Sequence, residues 1–203
     1  MKFICIGRNY ADHAKELKND LPTEPLFFLK PDSALHQNGH DLYIPEWTND
    51  LHYEVELLVK ISKQGKYIEE RFAHRYYDQI GLGIDFTARD IQDVVKQKGL
   101  PWEKAKAFDS SAVVSKSFVN LAGRNIADLR FSLEKNGEQV QQGHTADMIF
   151  SVDHIISYVS QFFTLKTGDI IFTGTPAGVG PVRSGDVLKG ILENETMFEV
   201  AIR

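Results

Sequence analysis

Several residues of this chain have types and spacings that could do chemistry together. In Tyr53-Glu54-Val55-Glu56-Leu57, read as an extended strand, successive side chains alternate faces. Tyr53, Val55, Leu57 and Val59 then share an apolar side, and Glu54 and Glu56 stand together on the other, roughly 7 Å apart at Cα. Two carboxylates that close repel, so the pair is stable only where water screens it or a cation lies between them. By itself the pair fits a solvated acidic face as well as a cation site. Gly81 to Thr87 reads as a strand that reaches Asp85 and runs into a helix start, where Thr87 and Asp90 have capping-box spacing. Arg89 and Gln92, three residues apart on one face of that helix, can look back toward Asp85. Asp85 also fits a turn acid, and Arg89 an exposed basic side chain. His13 and Glu16 are likewise spaced i, i+3. They form either an exposed pair of small energetic value or a dyad in which the carboxylate orients the imidazole as a general base. Trp102 to Phe108 brings Lys104 and Lys106 into an aromatic setting.

The elements that must position these groups can be read from pattern. Lys2 to Ile6 is a short strand ended by Gly7, and Asn9 can cap a helix over about residues 10–18, with Asp12 as an imperfect capping box and a stop at Asn19-Asp20-Leu21-Pro22. Leu26 to Leu29 is a buried-strand candidate closed by Lys30-Pro31. Residues 32–50 read as loop and short strand, with His36 and His40 as loop histidines. Ile68 to Tyr77 predicts a short helix, and Ala88 to about Lys98 a longer one. Asn136-Gly137 suits a type I′ turn between Phe131–Lys135 and Glu138–Gln142. Ser151 can cap a helix over Val152–Phe163 whose Ile155, Ile156 and Val159 form a core stripe. A strand from Ile170 to Thr173 leads into Gly174-Thr175-Pro176-Ala177-Gly178-Val179-Gly180-Pro181. That run lacks both G-x-x-x-x-G-K-[ST] and G-x-G-x-x-G, so neither a phosphate loop nor a dinucleotide fingerprint is present. Two strands, Val187–Leu192 and Met197–Ile202, close the chain.

Bulk properties exclude some classes. With 203 residues, 42% of them hydrophobic and 25% charged, the chain can bury a sizeable core. A net charge of −5 gives no global basic field for nucleic acid. No apolar run approaches the ~18 residues of a membrane span, and Met1-Lys2-Phe3 leads into a strand instead of a signal peptide. The single cysteine, Cys5, lies between Ile4 and Ile6 and reads as a small core residue. The expectation is one β-rich α+β domain, cytoplasmic, with no membrane or nucleic-acid partner.

The motifs jointly resemble one family. They are Gly7-Arg8-Asn9-Tyr10-Ala11-Asp12-His13, Phe28-Leu29-Lys30-Pro31, Glu54-Val55-Glu56, Asp85-Phe86-Thr87-Ala88-Arg89-Asp90, Lys98-Gly99-Leu100-Pro101-Trp102, Asp147-Met148-Ile149-Phe150 and Thr173 to Gly180. In this order, across essentially the whole chain, the sequence resembles the fumarylacetoacetate hydrolase superfamily, in its short branch of acylpyruvate hydrolases and oxaloacetate decarboxylases. The resemblance implies a mixed-sheet β-sandwich roll with a few peripheral helices, residues 1–203 forming a single catalytic domain. It implies Glu54, Glu56 and Asp85 as ligands of Mg²⁺ or Mn²⁺, with Ca²⁺ also acceptable to such oxygen donors. Lys106 matches the active-site lysine, whereas Lys104 is not at the matched position. Arg89, Gln92 and Thr175 match substrate-contacting positions. His13 and Glu16 match a dyad on a segment, here residues 8–20, that orders as a lid over bound substrate. A homodimer is implied as well.

The implied chemistry is cleavage of a 2-oxo acid through a metal-bound enolate, either hydrolysis of an acylpyruvate carbon–carbon bond or decarboxylation of oxaloacetate. In the first, Glu16 holds His13, which deprotonates the attacking water; in the second, loss of CO₂ gives the same enolate. Two other readings stand beside it. One is isomerisation or hydration of a dicarboxylic 2-oxo acid in aromatic catabolism, and the other is a metal-stabilised ligand-binding domain without turnover.

Overall fold

Continuous apolar runs make strands buried on both faces, and alternating runs make strands with one wet face; this protein contains both kinds. The computed structural model describes residues 1–17 and 20–203. Strand β1 (Phe3–Gly7) leads into helix α1 (Ala11–Glu16), followed by β2 (Leu26–Lys30), β3 (Leu51–Tyr53) and β4 (Val55–Ile61). Then come β5 (Tyr77–Asp85), β6 (Thr87–Ala88), α2 (Arg89–Gln97) and α3 (Glu103–Lys106). Strands β7 (Ala112–Val114), β8 (Val119–Asn120), β9 (Arg130–Lys135) and β10 (Glu138–His144) precede α4 (Val152–Phe162). Strands β11 (Ile170–Phe172), β12 (Gly180–Pro181), β13 (Val187–Leu192) and β14 (Glu195–Ala201) complete an α+β architecture rich in sheet.

The central sheet has the order β2-β1-β11-β4-β5-β7, with β8 beside β5. Its β1–β11 pairing is parallel, and the others are antiparallel. A second sheet, β10-β9-β13-β14, packs over it, and β12-β3-β6 forms a short third sheet. Val55, Leu57, Val59 and Ile61 of β4 enter the main core with Phe131, Leu133, Leu188 and Phe198 of the second sheet and Ile155, Ile156 and Val159 of α4. Leu58 points to the opposite face, into a smaller core with Phe3, Cys5 and Phe172. Among the described residues, no helix is long and apolar enough to cross a membrane.

Most of the expected elements form, with differences at their ends. Asn136 and Gly137 take φ of 55° and 83° between β9 and β10, the left-handed pair a type I′ turn requires. Ser151 caps α4 through a hydrogen bond from the His154 amide, 3.1 Å. The expected helix at Ile68–Tyr77 shortens to a 3-10 segment over Glu70–Arg75. The expected helix stop at Asn19 lies outside the described residues. Two expected caps do not form. Tyr10, not Asn9, stands at the N-terminus of α1, and Ala88, not Thr87, at that of α2.

Asn9 is used for tertiary ties instead. Its side-chain amide donates to the Phe150 and Thr173 carbonyls, 3.1 and 2.8 Å, and its Oδ1 accepts from the Phe150 amide, 2.8 Å. The end of β1 is thereby fastened to the start of the 174–181 loop. Gly174 makes the approach close: its φ is +102°, and a Cβ there would lie 2.6 Å from that of Asn9. Replacing Asn9 strands one buried and two partly buried backbone groups, at roughly 1–3 kcal/mol for each fully buried group before relaxation. We expect Asn9→Ala to lower unfolding free energy by about 3 kcal/mol in urea denaturation, and an unchanged midpoint would show that these bonds carry nothing.

Candidate active site

The end of β3, the start of β4 and the end of β5 bring three acidic side chains to one place. Glu54 occupies the break between β3 and β4, Glu56 is the second residue of β4, and Asp85 ends β5. The Val55↔Ile84 and Glu56↔Gly83 pairs set the register, and the Asp85 amide donates to the Glu54 carbonyl, 2.9 Å. One carboxylate oxygen from each of the three lies within 4.8 Å of the others, and all three residues are at most 5% exposed. The acidic face of the strand is therefore not solvated.

Two lysines and an arginine offset the repulsion. Lys106 Nζ, at the end of α3, donates to Glu54 Oε2 at 2.8 Å, Asp85 Oδ2 at 2.7 Å and the Thr87 hydroxyl. Arg89 Nη2 donates to Glu54 Oε1 and Nη1 to Gln92 Oε1. Arg89 thus reaches Glu54, with Gln92 held behind it, where the sequence pointed both at Asp85; α2 starts four residues beyond Asp85 and packs on β3. Lys30, fully buried at the end of β2, donates to the Ser111 hydroxyl and carbonyl, both 2.9 Å. Its ammonium also lies 2.7 Å from Asp85 Oδ1, but out of line for a hydrogen bond, so that buried oxygen has a counter-charge and no directed donor.

The environment divides the carboxylates. Burial opposes ionisation of Glu54, but Lys106 and Arg89 outweigh it and hold the group well below the usual carboxylate range. Burial, then Asp85 and Glu54, push Glu56 well above that range, against the Gly174 amide that donates to its Oε2 at 2.7 Å. Lys106 is raised because Asp85 and Glu54 overcome its desolvation. Three hard oxygen donors, one of them without a donor of its own, suit a divalent oxygen-seeking cation. A cation there would also remove the reason for Glu56 to hold a proton.

The other anticipated residues converge on the same cavity. His13, Arg89, Gln92, Lys106 and Thr175 line it with the three carboxylates. His13 Nδ1 lies 3.2 Å from Glu16 Oε2, and Glu16 Oε1 accepts from the Gly178 amide at 3.0 Å, so α1 is pinned to the glycine-rich loop. Lys104, unlike Lys106, is exposed. His36 is a loop histidine facing the His40 carbonyl at 3.0 Å, in keeping with the sequence.

Sequence reasoning left some contributors without a role. Lys30 had a signal, since it closes an apolar strand that must be covered. Gln141 had none. From within β10 it accepts from the Val55 amide and donates to the Thr175 hydroxyl and the Pro176 carbonyl, all at 2.9 Å, joining the acidic strand to the loop. Arg8, Lys96, Phe28 and Trp102 complete the cavity wall.

Comparisons with known proteins bear on the family and the fold. The model of the family described as fumarylacetoacetate (FAA) hydrolase C-terminal matches residues 2–198. The mitochondrial oxaloacetate tautomerase FAHD1 of Mus musculus is 47% identical over 203 residues, covering 98% of this chain and 90% of its own. The mitochondrial oxaloacetate decarboxylase of Dictyostelium discoideum is 41% identical, covering 100% of this chain and 94% of its own. Among solved structures, fumarylpyruvate hydrolase from Pseudomonas aeruginosa, in complex with Mn²⁺ and pyruvate, superposes with a TM-score of 0.93 at 35% identity. That match covers all of this chain and 89% of the other.

The raised Glu56 has a pH consequence. A carboxyl whose folded value lies above its unfolded one stabilises at low pH and loses that contribution as pH rises through the folded value. Without a divalent cation, wild-type thermal stability should therefore fall as pH rises above the usual carboxylate range, and Glu56→Gln, a near-isostere of the protonated acid, should flatten that fall. Added Mg²⁺ should raise the midpoint of the wild type and not of Glu56→Gln. Equal pH profiles for the two proteins would contradict the assignment.

Proposed function

Because the chain belongs to the fumarylacetoacetate hydrolase family, we propose that it is an enzyme that turns over a 2-oxo acid through an enolate. Oxaloacetate decarboxylation and acylpyruvate carbon–carbon hydrolysis are two routes to that intermediate. The observation that carries this reading is the enclosure of Glu54, Glu56 and Asp85 within 4.8 Å beside the ammonium of Lys106. Mg²⁺ or Mn²⁺ held by those three residues would supply Lewis-acid polarisation of the 2-keto oxygen.

The chain's own groups do the rest. Arg89 and Gln92 hold the substrate carboxylate, and Thr175, fixed by Gln141, adds a hydroxyl contact. Lys106 places positive charge against the oxygen on which the enolate develops. Glu16 holds His13 at Nδ1, leaving Nε2 to take a proton from the attacking water. The hydroxide adds to the distal carbonyl, the carbon–carbon bond breaks, and pyruvate leaves as its enolate. Oxaloacetate gives the same enolate by losing CO₂, with no water attacking. Residues 8–20 act as the lid that carries His13 to the substrate and excludes bulk water, within a 1–203 catalytic unit. Homodimer assembly and a cytoplasmic location belong to this proposal too.

A second reading is supported by the names of the relatives. Oxaloacetate tautomerisation moves a proton between carbon and oxygen through the enolate of oxaloacetate itself, which keeps both carboxylates, and His13 would then carry the proton without activating water.

Glu54→Gln or Asp85→Asn should reduce consumption of both oxaloacetate and acetylpyruvate to the metal-only background, as should EDTA with the wild type. His13→Ala should slow acetylpyruvate hydrolysis by roughly 10²-fold or more while keeping the Mg²⁺-induced rise in thermal midpoint. Wild-type hydrolysis by His13→Ala would remove the dyad from the scheme. Full activity in metal-stripped Glu54→Gln would remove the metal.

A further inference from the structure

Arg8 and Lys96 have no part in the reaction drawn above, yet both line the cavity that contains the three carboxylates. Both also line an adjoining, more open cavity of about 570 Å³, and Trp102 is the third wall the two cavities share. Arg8 and Lys96 therefore stand where the enclosed site widens. Both are half-buried, and neither forms an ion pair among the described residues. Lys96 Nζ sits 5.4 Å from the Trp102 ring centre, and that ring packs on Phe28 at 5.8 Å. Arg8 holds its place with φ of 60° directly after β1, a left-handed backbone that L side chains other than Asn and Asp rarely adopt.

The charges around the cavity call for more than one anionic group. Arg8, Lys96, Arg89 and Lys106 face three carboxylates, and a divalent cation would leave a clear positive excess. Burial, then Arg89, Arg8 and Lys106, lower Lys96 to about 8, so it feels the field of the other three cations. One substrate carboxylate, held by Arg89, leaves Arg8 and Lys96 uncompensated. An alkyl tail laid against them would desolvate both without giving either a partner.

We propose that Arg8 and Lys96 bind the distal carboxylate of a dicarboxylic 2-oxo acid whose 2-oxo end lies against Arg89 and the carboxylate cluster. The pair thereby selects substrates carrying a second acid group over neutral-tailed ones. This rests on the enolate reaction proposed above.

The test compares oxaloacetate with acetylpyruvate, which has a comparable 2-oxo acid end and a neutral tail, in Mg²⁺ with the metal-only rate subtracted. Arg8→Asn is chosen because Asn tolerates the left-handed backbone; Lys96→Gln and Lys96→Glu change a residue in the last turn of α2. KM for oxaloacetate should rise about tenfold or more in each, with kcat changed less, since losing one charged hydrogen bond of ~1.4 kcal/mol is tenfold. The oxaloacetate-to-acetylpyruvate ratio of kcat/KM should fall by a similar factor, most in Lys96→Glu, and Lys96→Arg should restore it. Ratios that stay at the wild-type value, or a wild type that consumes acetylpyruvate but not oxaloacetate, would overturn the subsite alone. A wild type that consumes neither would overturn the reaction and the subsite with it.

Discussion

Three carboxylates enclosed within 4.8 Å repel one another, and removal from water strengthens that repulsion. Much of the surrounding structure answers this constraint. Lys106 bridges Glu54 and Asp85, Arg89 takes the other oxygen of Glu54, and Lys30 lies under Asp85. Glu56, which receives only the Gly174 amide, is the group driven toward its neutral form. The cations partly neutralise the carboxylates through direct contacts. A cluster built only for stability would gain from apolar replacement, since burying ion pairs rarely returns its desolvation cost.

The same constraint explains the connections that hold the acidic strand in place. Gln141 of β10 ties the Val55 amide to the Thr175 hydroxyl and the Pro176 carbonyl. Asn9 ties the end of β1 to Thr173 and Phe150. Glu16 ties α1 to the Gly178 amide while orienting His13. Helix α1, the 174–181 loop and the carboxylates are thereby linked through polar bonds rather than apolar packing. Such bonds exchange with water more readily than a packed core does.

Local pattern was enough for the elements whose signal is local. The Asn136-Gly137 turn, the Ser151 cap, the core stripe of α4 and the strands on either side of Glu193 all form. Capping motifs misled where a distant partner made a stronger claim. Thr87 accepts from Lys106 and Asp90 holds the Thr48 hydroxyl and the Asn49 amide, so the T-x-x-D box is dissolved by contacts from α3 and from the loop before β3. Asn9 was drawn away from α1 in the same manner.

Residue types and order alone identified the family, the α+β class and most of the polar residues that line the cavity, because each motif carries its chemistry within a few positions of the chain. The sequence could not decide whether Glu54 and Glu56 face water. That depended on β5 lying alongside β4 in the Glu56↔Gly83 register, and on Lys106 arriving from 52 residues beyond Glu54 and 21 beyond Asp85 to share them. It also could not foresee Lys30 beneath Asp85, Gln141 as the strut of the loop, or Arg8 and Lys96 at the cavity mouth. Those roles arise from distances between segments remote in sequence, and a charge acquires its meaning only when its neighbours and its access to water are fixed.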